Sequence, residues 1–517
     1  MSTLKELNNN IKIEEKMRWD VVKKITWIVV IGFVIHGTYA FDKTIWFDDA
    51  ASLNGWYPWA AIEHGRWAWG IIDYVMKFLV GTELIASWHI MNSFIIIALI
   101  ALVLLRRFDI SNKAEQWILI VYMLVNVSVL GNIAYVGSSA MNFFGLLITT
   151  ISAIVVFDSD NFKKAIIGIL LLVLSLGMYQ CYLAYFVTLA LILFIKDVLS
   201  SDEKDLYSYL KSGLKIIGII IISLGIYFVV TNIVCKVTNH PLTDYAGTAS
   251  YGIVDLNTYL QRVIYAYRQF FLQTKGYYYS LFPFEWGGWW IIFLVLLIII
   301  QVLIVLTLFR KKQYKKCFAF VILNMLLPLA HNLIFVMYNP INASSLHVYQ
   351  SILIFFYAII LVNFIEIKKE YLYIMRIFLL IIIAVIDMLL IKYDNKCYVS
   401  IKIEREQSIS FMNRLLAEIH STEGYVDGME IFVADLENLA EMGEDKTTFS
   451  EGISTNPYDV TTFDYTKNDF VYIYNGEKVN IRDLYEGDYE YVGIYDMPKY
   501  PSYGSIKVID DRVIVNL

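Results

Sequence analysis

The sequence predicts an all-α polytopic membrane protein of about eleven spanning helices, with a small C-terminal extracytoplasmic α+β domain. Of its 517 residues, 58% are hydrophobic and only 17% are charged, whereas soluble domains are about 45–50% apolar and about 25% charged. The apolar residues form continuous runs, and several reach the roughly 20 residues that a helix needs to cross the hydrocarbon core. Residues 393–517 lack such runs.

The first apolar run begins near Ile25 and is not followed by a small-residue cleavage site, so it is interpreted as a retained span and not a signal peptide. An odd number of spans places the two termini on opposite sides of the membrane. The expected spans are approximately 25–41, 86–105, 115–132, 139–157, 164–178, 180–196, 213–235, 289–309, 317–338, 347–365 and 373–391.

Basic residues indicate the orientation of these spans. With segment 1–24 in the cytoplasm, the cytoplasmic segments hold 23 Lys and Arg residues, and the opposite loops before residue 392 hold seven. Such a bias is the positive-inside signature. The sequence therefore predicts a multi-pass protein of the cell (cytoplasmic) membrane, with a cytoplasmic N-terminus and an extracytoplasmic C-terminal domain.

Charge divides the chain at about residue 392. Residues 1–392 hold 31 basic and 24 acidic residues, and residues 393–517 hold 11 and 24. We expect a transmembrane domain over 25–392, with long outer loops at 42–85 and 236–288, and an α+β domain over 393–517. The latter opens with an amphipathic helix, REQSISFMNRLLAEIH, and continues with four strand-like pieces, MEIFVADL, FVYIYNG, YEYVGIYDM and SIKVIDDRVIVNL.

Two adjacent carboxylates, Asp48 and Asp49, follow the first span. Repulsion and partial desolvation raise the proton affinity of at least one of them, and a carboxylate tuned in this way can act as a general base. The alternative is an acidic turn that caps an interfacial helix, because Asp is a preferred N-cap residue. Sequence chemistry alone supports the two interpretations equally.

Several motifs resemble the GT-C superfamily of membrane glycosyltransferases, and within it the bacterial polytopic O-antigen-modifying (type II) glucosyltransferase family. They are FDDAASLNGW, HGRW, the MYQCYLAYF stretch at 178–186 and the long loop at 236–288. Together they span most of residues 1–390 and leave the C-terminal domain unmatched. The resemblance implies transfer of a hexose, with glucose expected, from a polyprenyl-phosphate donor such as undecaprenyl-phosphate glucose. The implied acceptor is a cell-envelope polysaccharide or a teichoic-acid-like polymer on the extracytoplasmic face.

Such a transfer needs a base for the acceptor hydroxyl and a cation for the lipid phosphate. The base is expected at Asp48 or Asp49, and Asp48 is favoured because resembling enzymes often use the first acid of the pair. Asp49 would then orient the acceptor or support the loop. Arginine binds phosphate through bidentate hydrogen bonds, and Arg66 is the first candidate because it shares a loop with the acids. Arg262 and Arg268 are further candidates, for which snorkelling on an interfacial helix is an equally supported interpretation.

Further polar residues are expected to line the cavity, although His331 fits a hydrogen-bonded interior residue better. No metal or cofactor is expected, because a monophosphate donor makes a metal less necessary than a diphosphate donor does. The four cysteines also form no CxxC or Cys/His pattern. Membrane lipids are expected partners and nucleic acids are not. The expected lining residues are Glu63, His64, Tyr179, Gln180 and His331.

Two functions of other classes stay open at this point: a lipid-linked sugar flippase or transporter, and a non-catalytic envelope-assembly protein. Transporters place charges at mid-membrane and often show repeated halves. This sequence instead concentrates its acids and Trp residues in two outer loops, which favours the enzyme. Dispensable acids at 48 and 49 together with an essential tail would indicate the assembly protein.

Overall fold

The structure is a computed structural model, and the residues that it describes are mostly helical, at 79%, with a small sheet near the C-terminus. This confirms the predicted fold class in its coarse form. The described residues are 2–42, 49, 58–81, 85–159, 161–243, 254–272, 287–337, 348–434 and 467–517.

The helical body precedes the sheet along the chain, and its last long helix leads into the sheet. Its helices are α1 (Ser2–Ala40), α2 (Pro58–Glu63), α3 (Trp67–Val80), α4 (Ala86–Arg107), α5 (Lys113–Val125), α6 (Val127–Ala134), α7 (Val136–Phe157), α8 (Phe162–Met178), α9 (Tyr182–Ser200), α10 (Leu206–Thr238), α11 (Leu256–Leu272), α12 (Gly287–Arg310), α13 (Tyr314–His331), α14 (Leu333–Met337), a 3-10 helix (Tyr349–Ile352), α15 (Leu353–Val362) and α16 (Lys369–Ser421).

Each predicted span coincides with a described helix or a broken helix, but not every one of these helices has the length of a membrane span. Seven described helices are long and apolar enough to cross a membrane, and an eighth is added if α5 and α6 form one span bent by 43°. The bend lies at Asn126, whose side-chain oxygen accepts a hydrogen bond from the Ser128 N–H and so caps α6. The structure thus supports a polytopic body of seven or eight candidate spans where the sequence predicted about eleven.

Helix α7 lies at the centre of the body and packs against α4, α8 and α9. Small hydroxyl residues join these helices. The Ser139 hydroxyl lies 3.0 Å from the Ser93 hydroxyl on α4, and the Ser152 hydroxyl donates to the Gly168 carbonyl on α8 at 2.8 Å. Small polar residues of this kind let helices approach closely in an apolar environment.

One end of the bundle, here called the basic end, carries ion pairs between helix termini. Arg107 contacts Asp158 at 2.7 Å, and Lys315 contacts Asp205 at 2.6 Å. Exposed pairs of this kind add little stability. Their position is informative, because the segments that the sequence assigned to the cytoplasm lie at this end.

Helix α16 differs from the prediction. The sequence suggested a span over 373–391 and a separate amphipathic helix from about Arg405, but the structure shows one helix of 53 residues. The segment contains neither Pro nor Gly, so nothing in it breaks the helix. Tyr398 stacks on Tyr39 at 4.8 Å between ring centroids, and Arg405 lies 3.3 Å from Asp42, so α16 is fastened to the end of α1.

The C-terminal sheet has the strand order β2-β1-β4-β3, with β1 (Glu430–Ala434) parallel to both β2 (Ile481–Asp483) and β4 (Arg512–Asn516). β3 (Ile506–Ile509) forms an antiparallel hairpin with β4. The hairpin turn is Asp510-Asp511, both with positive φ, as a two-residue type I′ turn requires.

Two of the four strand predictions were wrong. FVYIYN lies in helix α17 (Lys467–Asn475), which ends before Gly476, and YEYVGIYDM forms helix α18 (Tyr489–Val492) and a 3-10 turn. Phe470 and Tyr474 pack ring to ring at 4.7 Å, a contact that the four-residue spacing of a helix provides. Burial of Phe470 and Val471 therefore overrides the β-propensity of this segment.

Candidate functional site

Asp49 is buried and held in place at the end of the bundle opposite the basic end. Its side-chain oxygens accept hydrogen bonds from the backbone N–H groups of Val136, at 3.0 Å, and Gly137, at 2.8 Å. These are among the first N–H groups of α7, which have no partner within the helix, and the helix dipole favours a negative charge there. Asp49 therefore caps a helix that lies far away in sequence. Asp48 lies outside the described residues.

The HGRW motif forms the turn between α2 and α3. The Gln180 side-chain amide donates to the His64 carbonyl at 2.8 Å, and the Tyr227 hydroxyl donates to the Gly65 carbonyl at 3.1 Å. Gly65 has φ +73°, and a Cβ there would lie 2.6 Å from the Tyr227 hydroxyl oxygen. Only glycine fits this turn without strain, so the backbone before Arg66 is held from α10 and from the break between α8 and α9.

Arg66 lies against that break. Its guanidinium carbon is 4.3 Å from the centroid of the Tyr179 ring, a cation–π contact. The next residue, Trp67, packs directly on Gly177, where a Cβ would approach the indole to 2.6 Å. Close packing of α3 on α8 therefore sets the position of Arg66. The structure brings four predicted site residues together here: His64, Arg66, Tyr179 and Gln180.

His64 and Glu63 have different surroundings within the same turn. Burial, and next the Arg66 charge, lower the pKa of His64 to about 4, so the imidazole is neutral near pH 7. Glu63 contacts the His240 ring nitrogen at 2.8 Å, and that ring stacks on Trp59 at 4.7 Å. Glu63 thus docks α2 onto the end of α10.

A buried network of amides and tyrosines lies between α6, α7, α9 and the 3-10 helix. The Asn132 side-chain oxygen accepts hydrogen bonds from the Asn142 amide, at 2.9 Å, and the Tyr349 hydroxyl, at 2.8 Å. The Tyr182 hydroxyl donates to the Asn142 carbonyl at 2.6 Å, and its ring lies 6.0 Å from the Tyr179 ring. These contacts connect the helix capped by Asp49 with the position of Arg66. Sequence reasoning missed Asn132, Asn142 and Tyr349, although asparagines within apolar runs were an available signal.

An apolar cleft opens beside the Gly65 turn, between α8, α9 and α10. Its polar part is formed by His64, Gln180, Tyr227 and Thr231. Its apolar part is formed by Leu176, Leu183, Leu224, Phe228, Leu242 and Met337. The cleft therefore offers a mainly hydrocarbon surface next to the turn that carries Arg66.

Arg262 and Arg268 lie on α11 with different surroundings. Arg262 is partly buried and donates to the Val336 carbonyl at 3.4 Å, so it faces the protein. Arg268 is exposed and continues the line of exposed side chains Leu256, Leu260 and Ile264 at four-residue spacing. A cation on such a stripe suits a snorkelling position at a membrane surface.

His331 is completely buried at the end of α13. One ring nitrogen lies 3.0 Å from the Asn332 side-chain oxygen, and Phe270 packs edge-on at 5.3 Å. It is not among the residues that line the cleft, and it has the surroundings of the interior residue that the sequence suggested. Among the residues that the structure describes, no group of three or more His, Cys, Asp or Glu side chains could hold a metal ion.

Comparison with known proteins bears on residues 37–358, which match the family model described as Glucosyl transferase GtrII. No curated protein and no solved structure matches the chain. The matched range includes both motifs of the first loop, the break at Tyr179 and α11, and it agrees with the resemblance that the sequence showed. With apolar helices of membrane-spanning length and a family match over more than half of its residues, the chain belongs to the glucosyl transferase GtrII family.

Proposed function

We propose that the protein is a GT-C-type enzyme that transfers glucose from a polyprenyl-phosphate donor to a hydroxyl group of a cell-envelope glycan on the extracytoplasmic face. In this reaction the acceptor oxygen forms a bond to the anomeric carbon, and the bond from that carbon to the lipid phosphate breaks. The hydroxyl proton passes to a carboxylate, and the polyprenyl phosphate leaves as a phosphate monoester. Membership of a glucosyl transferase family supports the sugar.

The observation that carries the donor assignment is the position of Arg66 beside the apolar cleft. A polyprenyl phosphate combines an anionic head with a hydrocarbon chain. Arg66, held over Tyr179, offers a guanidinium group, which pairs well with phosphate oxygens. The leucine-rich wall of the adjacent cleft offers a surface for the chain.

We assign the base to Asp48 and the support of the loop to Asp49. Both oxygens of Asp49 already accept backbone hydrogen bonds from the start of α7, and these bonds stabilise its charge and hold it in place. Asp48 is its immediate neighbour in sequence. This division keeps the role that the sequence favoured for each acid.

The extracytoplasmic location is supported by the difference between the two ends of the bundle. The basic end carries exposed pairs such as Lys315 with Asp205, and the 23-to-7 bias of Lys and Arg assigns that end to the cytoplasm. Asp49, Arg66 and the amide network lie at the opposite end of α7.

The decisive experiment supplies purified protein in proteoliposomes with synthetic polyprenyl-phosphate glucose, and separately with a nucleotide-activated glucose. We expect release or transfer of glucose from the lipid donor only. Passage of intact lipid-linked sugar across the bilayer without cleavage would instead identify a flippase. Use of the nucleotide donor would overturn the donor assignment.

A further inference from the structure

A tyrosine-rich segment of the C-terminal domain (residues 393–517, here called the C-terminal module) has no role in the proposed site. Residues 485–503 contain six tyrosines, and four of them project from the module. Their exposed fractions are 82% for Tyr485, 76% for Tyr491, 77% for Tyr495 and 102% for Tyr503. Four exposed aromatic rings within one segment of 19 residues can form a contiguous apolar surface, and such surfaces mark interaction sites.

The backbone of this segment is held firmly. Tyr489 packs in a small core with Leu484 and Ile494. The Asn516 side chain on β4 donates to the Met497 carbonyl at 2.8 Å, and the Tyr500 N–H donates to the Asn516 carbonyl at 2.8 Å. Tyr500 also packs against Phe411 of α16 at 5.8 Å. The exposed rings therefore stand on an ordered base, which lowers the entropy cost of binding.

Carboxylates accompany the rings. The Tyr491 hydroxyl donates to Asp510 at 2.9 Å, and this bond raises the pKa of Tyr491. Residues 485–503 contain four acidic residues and one basic residue. An aromatic ring stacks on the apolar C–H face of a pyranose, while carboxylates and phenolic hydroxyls bond to its hydroxyl groups.

We propose that Tyr485, Tyr491, Tyr495 and Tyr503 form a binding surface for an uncharged polysaccharide, which this module holds for the membrane domain. The binding surface itself stands on the module alone, and only the identification of its ligand with the acceptor rests on the proposed function. The family match ends at residue 358, so it assigns nothing to this segment.

The net charge of the module distinguishes between neutral and anionic ligands. Residues 393–517 carry 24 acidic and 11 basic residues, a net charge of −13. This field repels phosphate-rich polymers and anionic lipid headgroups. An uncharged glycan meets no such repulsion, so the surface favours a neutral polysaccharide acceptor over a teichoic-acid-like one.

The test measures binding of the full-length protein in neutral-lipid nanodiscs to an array of uncharged and anionic glycans, with no donor present. We expect binding to uncharged hexose-containing glycans. Each Tyr→Ala change at a contacting position should weaken it about tenfold, as truncation of a well-packed aromatic contact does. Tyr→Phe changes keep the ring and should retain most of the binding.

Tyr207→Ala serves as the matched control, because Tyr207 is 74% exposed but lies at the start of α10, outside the module. Absence of binding to every glycan, or binding unchanged in the variant with all four tyrosines replaced by Ala, would overturn the proposal. So would binding of anionic lipid vesicles in place of glycans. Glucosyl transfer without glycan binding would refute the surface and leave the proposed function standing, and glycan binding without transfer would do the reverse.

Discussion

Neighbouring acids at positions 48 and 49 are given different tasks by the proposed mechanism. Asp49 is tied to the first turn of α7 through both of its oxygens. A group that supports the structure should affect stability when changed, whereas a base should affect the rate alone. The two measurements therefore separate the two carboxylates.

We expect Asp49→Asn to lower the free energy of unfolding by about 2 kcal/mol, because an amide must turn one N–H toward a backbone donor and lose a charge-assisted bond. Asp48→Asn should leave stability unchanged and slow transfer by about 10²- to 10⁴-fold. Unfolding in detergent and transfer from the lipid donor would be measured for each variant. Asp73→Asn is the control, since the exposed pair of Asp73 with Lys77 contributes little. A silent but fully stable Asp49→Asn beside an active Asp48→Asn would reverse the two roles.

Gly65 allows a second test at this scale. An alanine there would have to adopt φ +73° with its Cβ 2.6 Å from the Tyr227 hydroxyl oxygen. We expect Gly65→Ala to cost at least about 1–2 kcal/mol of stability and to reduce transfer strongly, because Arg66 follows directly. Gly225→Ala, on the same helix as Tyr227 but with open space around its Cβ, should be neutral or stabilising. Equal behaviour of the two variants in unfolding and transfer assays would show that the turn is not constrained as described.

The sequence identified some of these residues and not others, for a physical reason. Adjacent acids, an arginine and a glycine in one loop can be read directly from the chain. Asn132 and Tyr349 are 217 residues apart, and nothing local in the sequence announces that their side chains meet. The capping of α7 by Asp49 is a long-range contact of the same kind, and it differs from the local cap that the sequence suggested.

At the scale of elements, α11 distinguishes two of the candidate phosphate ligands. Arg268 lies six positions after Arg262, which places the two about 120° apart around a helix of 3.6 residues per turn. Arg262 faces the Val336 carbonyl, and Arg268 extends an exposed apolar stripe. An amphipathic helix lying at a membrane surface accounts for both.

Lysine substitutions test the three arginines. Arg66→Lys keeps the charge but loses the planar group over Tyr179, so donor affinity and transfer rate should fall substantially at normal expression. Arg268→Lys should be nearly silent, because either cation can snorkel. Arg262→Lys should change donor affinity and transfer rate only slightly, since a lysine ammonium can donate the single hydrogen bond that Arg262 makes to the Val336 carbonyl. Near-normal donor affinity and rate in all three variants would place the phosphate ligand elsewhere.

Element boundaries were predictable wherever a long apolar run decided them, as for α4, α7 and α12. The strand predictions failed in the C-terminal module, where short aromatic segments suit a strand or a helix equally well. FVYIYN became helical because Phe470, Val471 and Tyr474 pack on one side. No local signal separated that outcome from a strand, because tertiary packing decides short segments.

For the whole molecule, the two ends of the bundle make the orientation testable. Reporter fusions after Lys164, Arg310 and Lys369 should report the cytoplasm, and fusions within 240–280 or after residue 395 should report the outside. The reason is the 23-to-7 distribution of basic residues. A cytoplasmic C-terminal module would contradict both the odd number of spans that the sequence predicts and the proposed side of the reaction.

Helix α16 also decides how the C-terminal module could be exchanged between proteins. It runs for 53 residues without interruption, about 80 Å at 1.5 Å per residue, and Tyr398 and Arg405 fasten its middle to α1. Each residue inserted beyond Arg405 would turn the module by about 100° and raise it by about 1.5 Å. An insertion of about seven residues restores the original facing to within about 20°. A chimera that carries another module in this place should therefore retain activity only when its junction keeps the helical phase, whatever the sequence of the new module.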